Sequence, residues 1–253
     1  MTVVLVHGNP ETEAIWDDLR NHLSGDVVTL SPPGFGAPLP DGFEATSDGY
    51  LAWLCDEVAK IAGPVDLVGH DWGGGHVARL ASTRPDLIRS WICDIGGCFD
   101  PEYVWHDMAQ VWQTAGAGEQ AVAGMAGAPV EARAAQYESL GMSKAIAAKV
   151  AEAANEDMGR CILSLYRSAA QPAMSRWGEE FQAASARPGL IIIATEDHYT
   201  GGEVLARRTA DRAGAKVAVL QGLGHWWMCQ DPGAGAAVLN QFIDDLNKTP
   251  VAV

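Results

Sequence analysis

The sequence of 253 residues has no apolar run approaching the ~20 residues that a membrane-spanning helix needs, so a bilayer-embedded protein is not indicated. Cations are scarce as well. Lys and Arg total 17 against 32 Asp and Glu, giving a formal charge of -15 and a pI near 4.7. Without a basic face, neither nucleic acid nor an anionic membrane surface is an expected partner. The five cysteines, at 55, 93, 98, 161 and 229, are odd in number and lack C-x-x-C spacing. That argues against a disulfide framework or zinc site and fits reduced, packing thiols. His22, His70, His76, His106 and His198 show no metal-ligand arrangement, and His7 reads as a hydrogen-bonding residue of its loop. No basic, cleavable leader precedes the first apolar run, so the expected location is the cytoplasm. There is no evident internal repeat or low-complexity tract.

What the chain does have is 48% hydrophobic residues, enough for one large buried core, and a regular alternation of short apolar runs with helical patterns. Strands are expected at 2–6, 27–30, 65–69, 87–95, 190–194 and 216–220. Helices are expected at 11–23, 50–61, 74–83, 202–213 and 234–246, with a loose tail from 247. Strand alternating with helix is the pattern of a mostly parallel α/β sheet with right-handed crossovers. From Gly96 to Pro188 the alternation stops, and the composition turns to Ala, Gln, Glu, Met and Trp at helical spacing. Helices are expected there over 121–135, 143–158 and 161–170. The domain reading is a core of 1–95 and 189–253 with a helical cap, 96–188, inserted into it.

The chemistry is concentrated at Val-Asp-Leu-Val-Gly-His-Asp-Trp-Gly-Gly-Gly, residues 65–75. Gly69 and Gly73 flank Asp71 in a G-x-D-x-G pattern, a strand-to-helix elbow with a carboxylate where serine is commoner. Two further candidates follow later strands: Asp197 in Ala-Thr-Glu-Asp-His and His225 in Gly-Leu-Gly-His-Trp-Trp. A carboxylate can displace a leaving group from saturated carbon and leave an ester that a histidine-activated water can open. The alternatives are that Asp71 only caps a helix or turn, and that Asp94, after the preceding strand, is the acid in place of Asp197.

The order Asp71, Asp197, His225 and the elbow resemble the α/β-hydrolase fold, over nearly the whole chain. His-Asp-Trp-Gly-Gly at 70–74 is similar to both soluble epoxide hydrolases and haloalkane dehalogenases. Gly224-His225-Trp226, Trp112-Gln113 to Glu119, and Leu165-Tyr166-Arg167 resemble epoxide hydrolase motifs. The resemblance implies that Tyr166 donates to an epoxide oxygen, that the N–H groups of Asn9 and Trp72 form an oxyanion hole, and that no cofactor is needed. It also implies a six-stranded sheet, since the chain begins directly on the His-Gly strand where most relatives have two earlier strands. Two departures stand out. The second cap tyrosine of epoxide hydrolases falls on Met108, which cannot donate a hydrogen bond, leaving Tyr103 or Tyr137 as substitutes. His-Gly-Asn-Pro at 7–10 is a dehalogenase pattern, in which Asn9 and Trp72 would grip a halide. Trp105, Trp112, Tyr103 and Met108 are candidate substrate-lining residues, with Trp177 as a further aromatic; packing between helices is the alternative for the tryptophans. The expected activity is epoxide hydrolysis of a small apolar organic substrate with water, the alternatives being haloalkane dehalogenation and a non-catalytic ligand-binding role.

Overall fold

A computed structural model describes residues 1–248. Its centre is a six-stranded, wholly parallel sheet of β1 (Thr2–Val6), β2 (Asp26–Leu30), β3 (Val65–Gly69), β4 (Ser90–Cys93), β5 (Gly189–Ala194) and β6 (Lys216–Leu220), in the order β2-β1-β3-β4-β5-β6. The inner strands β3, β4 and β5 are buried at every position, as continuous apolar runs covered on both faces should be. The edge strands β2 and β6 are partly exposed.

Alternation along the strands divides the core in two. Val4, Val6, Leu67, Cys93 and Ile191 face the layer containing α1 (Ser47–Ala59), α2 (Trp72–Thr83) and α9 (Gly202–Ala213). Val3, Leu5, Val68, Ile92 and Ile192 face Ile15, Trp16, the short α10 (Trp227–Gln230) and α11 (Pro232–Lys248). Between β4 and β5 lie α3 (Asp107–Gln113), α4 (Ala117–Gly127), α5 (Val130–Ser139), α6 (Lys144–Ala153), α7 (Glu156–Ser168) and α8 (Ala173–Glu180). The return segment after α8 runs back along the sheet, where Trp91 donates its indole N–H to Ala184 O at 3.0 Å. Among the described residues, no helix is long and apolar enough to cross a membrane.

Several boundaries differ from the sequence reading. Residues 11–23 form two short 3-10 turns, Glu13–Trp16 and Leu19–His22, because Ile15, Trp16 and Leu19 are drawn onto the sheet while Thr12 caps the first turn. The strand expected over 87–95 is only Ser90–Cys93, preceded by a turn at Pro85–Leu87. The helices expected over 121–135 and 143–158 are each broken, at Ala128-Pro129 and Ala154-Asn155. Proline has no N–H to continue the first, and Asn155 caps α7 through Met158 N. Asn247 and Lys248 are helical; the rest of the expected tail, 249–253, lies outside the described residues.

Candidate active site

The elbow forms because β3 must turn at once into α2. Asp71, with φ 50 and ψ -127, is the one non-glycine residue of positive φ among the described residues. A side chain on Gly69 would collide with the backbone of Gly73, and one on Gly73 with the backbone of Val6, so both places need glycine. Asp71 stands at the N-cap of α2, yet its side chain makes no cap hydrogen bond. Its carboxylate instead accepts Asn9 N–H at 2.9 Å on Oδ1. Trp72 opens α2, so its N–H has no partner within the helix.

His225, on the loop after β6, brings Nε2 to 3.8 Å from Asp71 Oδ2 and Nδ1 to 2.8 Å from Asp197 Oδ2. Tyr199 N–H donates to Asp197 Oδ1 at 2.8 Å and fixes the carboxylate. Burial of His225 disfavours its charge, but the Asp197 carboxylate outweighs this and the pKa ends above its ordinary value. Burial likewise works to raise the Asp197 pKa, and its imidazole partner overcomes that and holds it low. Asp71 differs: burial dominates and pushes it up to about 6, against the pull of His225 and His70.

Behind the elbow lies a buried charge network. Asp94 makes contacts other than the alternative role would ask: Oδ2 lies 2.5 Å from His70 Nδ1 and accepts Trp227 Nε1–H at 2.8 Å, while Oδ1 accepts Asp71 N–H at 3.1 Å. His70 Nε2 faces Glu11 Oε2 at 3.6 Å, and its ring centroid is 4.6 Å from that of His225. Glu11 accepts from Gly8 N at 2.8 Å and Trp226 Nε1 at 2.5 Å. Burial opposes charge on both His70 and Glu11. On His70 the Asp94 carboxylate, joined by Glu11, overcomes burial and lifts the pKa well above its ordinary range; on Glu11 the facing His70 overcomes burial and depresses the pKa to about 2. His70 thus lies buried between two carboxylates, which favour its protonated form.

Asp71 is reached from two cavities. The larger, of about 480 Å³, is also lined by Asn9, Met108, Trp112, Tyr166 and His225. A smaller one, of about 30 Å³, carries Tyr103, Trp105 and Trp177 on its wall and shares Tyr166 with the first. Tyr166, on α7, is boxed by aromatic rings, 4.7 Å from Trp112, 5.3 Å from Trp72 and 5.5 Å from Trp105 between centroids. Trp105 in turn stacks on Trp72 at 5.9 Å. The substitutes Tyr103 and Tyr137 spend their hydroxyl protons on main chain, Tyr103 on Tyr199 O at 2.9 Å and Tyr137 on Pro10 O at 2.7 Å. The Asn9 side chain is buried with neither Oδ1 nor Nδ2 hydrogen-bonded.

Sequence reasoning missed Glu11 and His70 as parts of this site. Glu11 reads as an ordinary acidic residue near the start of a helix, and His70 as a histidine without ligand spacing; only its place beside Asp71 marked it. Among the described residues no cluster of His, Cys, Asp and Glu is arranged to hold a metal ion.

A parallel sheet with Asp71 at a strained elbow and His225 following the last strand defines a hydrolase architecture. Residues 3–238 match the model of the alpha/beta hydrolase family, and the chain belongs to that family. Two curated relatives are 28% identical over short stretches. One is the (E)-2-((N-methylformamido)methylene)succinate hydrolase of Acinetobacter baylyi, over 90 residues; the other is the AB hydrolase superfamily protein YfhM of Bacillus subtilis, over 96 residues. Each match spans 34% of the relative's length and about a third of this chain, 34% and 36% respectively. Among solved structures, the haloalkane dehalogenase DbeA from Bradyrhizobium elkani superposes with a TM-score of 0.71 at 20% identity, covering 97% of this chain and 90% of that one. An E-2-(acetamidomethylene)succinate hydrolase gives 0.65 at 17% identity, covering 96% and 91%. At these identities the likeness is one of fold.

Proposed function

We propose that the chain hydrolyses substrates at saturated carbon through an ester on Asp71, and that its substrate is an epoxide opened to a vicinal diol. Asp71 attacks a ring carbon as the C–O bond breaks, and Tyr166 gives its proton to the departing oxygen. His225 Nε2 then takes a proton from water, and the hydroxide adds to the ester carbonyl carbon of Asp71. The N–H groups of Asn9 and Trp72 hold the oxyanion until the ester C–O bond breaks and His225 returns the proton to the diol oxygen. Asp71 is released as the carboxylic acid, and its proton passes through water to the Tyr166 phenolate, restoring both groups. Asp197 keeps the His225 ring oriented and stabilises its charged form.

One observation carries the choice of epoxide: backbone carbonyls take the hydroxyl protons of Tyr103 and Tyr137, whereas none takes that of Tyr166, which is the fully buried tyrosine lining both cavities at Asp71, Tyr199 being exposed. Burial keeps its hydroxyl protonated well beyond the usual range, and a hydrogen bond with the Trp72 side chain opposes this in part. The second reading, carbon–halogen cleavage, is favoured by the unpartnered Asn9 amide.

Intact-mass analysis of His225→Gln, incubated separately with an aryl epoxide and a bromoalkane, decides between them. The epoxide reading expects an adduct on Asp71 from the epoxide. An adduct from the bromoalkane alone, with bromide release, overturns it.

A further inference from the structure

The cavity that reaches Asp71 also holds a cation that neither reading uses. Arg133, on α5, is only 7% exposed and lines the 480 Å³ cavity. All its hydrogen bonds go to neutral carbonyls: Nε donates to Ala151 O at 3.0 Å, and Nη1 to Met125 O at 3.3 Å, Ala126 O at 3.2 Å and Ala128 O. These bonds fix the guanidinium plane against the end of α4 and the end of α6. Among the described residues they leave Nη2 with no acceptor and the charge without a carboxylate, in a chain that has 32 acidic residues. A buried guanidinium is normally matched by an anion, because desolvating its charge without one is costly.

The same helix ties this cation to the elbow. Tyr137, one turn along α5 from Arg133, donates to Pro10 O, next to the Asn9 whose N–H meets Asp71. Between the two polar ends the wall is largely apolar, including Met108, Trp112 and Met125. A ligand suited to that space has an apolar body with one anionic group.

We propose that Arg133 is a substrate-binding residue whose free Nη2 donates to a substrate carboxylate, so that the substrate is an organic acid with its reactive carbon held at Asp71. This deepens the hydrolase reading and rests on it for the reacting end only. A charge-assisted bond of this kind favours the carboxylate over a neutral group of equal size by about tenfold or more.

The test reads binding and turnover separately. Pentanoate and pentan-1-ol are titrated into wild type, Arg133→Gln and Arg133→Lys, following tryptophan fluorescence; 4,5-epoxypentanoate and 1,2-epoxypentane are then compared as substrates. Wild type is expected to bind pentanoate about tenfold tighter than the alcohol, with Arg133→Lys keeping part of the preference and Arg133→Gln losing it while KM for the epoxy acid rises. Equal binding of acid and alcohol by wild type overturns the proposal, whether or not the variants fold. So does an undiminished preference in folded Arg133→Gln. If neither epoxide turns over while pentanoate still binds through Arg133, the epoxide reading fails and the anion site stands.

Discussion

His225 Nε2 lies 3.8 Å from Asp71 Oδ2, too long for a hydrogen bond, while its Nδ1 is bound to Asp197 at 2.8 Å. The ring is therefore held from one side and free on the side facing Asp71, the arrangement that the proposed attack of a His225-activated water on an Asp71 ester uses. Replacing His225 by Gln should remove base catalysis of ester hydrolysis, a loss of about 10²–10⁴-fold or more in turnover, while leaving ester formation. Stopped-flow and mass measurements on the same sample would show one equivalent of adduct with negligible turnover.

Tyr166 touches the departing oxygen in the epoxide reading. Tyr166→Phe preserves the ring packing against Trp112, Trp72 and Trp105 and removes only the hydroxyl. Epoxide opening should fall by roughly 10²-fold or more, and activity on a bromoalkane should change far less. Wild-type rates of the variant on epoxides would remove Tyr166 from the mechanism.

Acidification should stop the two half-reactions at different pH. In the proposed mechanism Asp71 attacks only when ionised, so ester formation should decline as pH falls through about 6. His225 accepts a proton only when neutral. Its pKa is raised above the ordinary 6.5, so ester hydrolysis declines at higher pH than ester formation. In the window between, quenched-flow experiments should find the ester accumulating in wild type as it does in His225→Gln. Parallel loss of both steps would contradict this order.

Glu11 neutralises His70 from the side opposite Asp94. Its folded pKa of about 2 lies below the ordinary 4.5, so its stabilising contribution is present above pH 4.5 and is lost as pH falls through about 2. Glu11→Gln leaves His70 one carboxylate short and sets an amide against donors from Gly8 and Trp226, which should cost about 3–5 kcal/mol in urea unfolding at neutral pH. Removing the Glu11 charge also removes one of the causes that raise the Asp71 pKa, while Asp94 still favours the protonated His70, so the acid limb of ester formation should move to lower pH.

The strand runs were legible because burial on both faces demands continuous apolar residues, which no other element of that length shows so plainly. The breaks were less so. A run such as 143–158 has helical composition throughout, and only the docking of α6 and α7 onto different neighbours decided that Asn155 would start a new helix.

The sequence by itself determined the α/β architecture and brought Asp71, Asp197 and His225 into view, because local rules govern glycine spacing at an elbow and the loops that follow strands. It could not tell that Glu11, His70 and Asp94 make one buried charge network, or that Arg133 lines the cavity that reaches Asp71. Those relations join residues as far apart as 11 and 226, and 71 and 133. Their chemistry exists only once folding has excluded water and brought the charges within reach of one another.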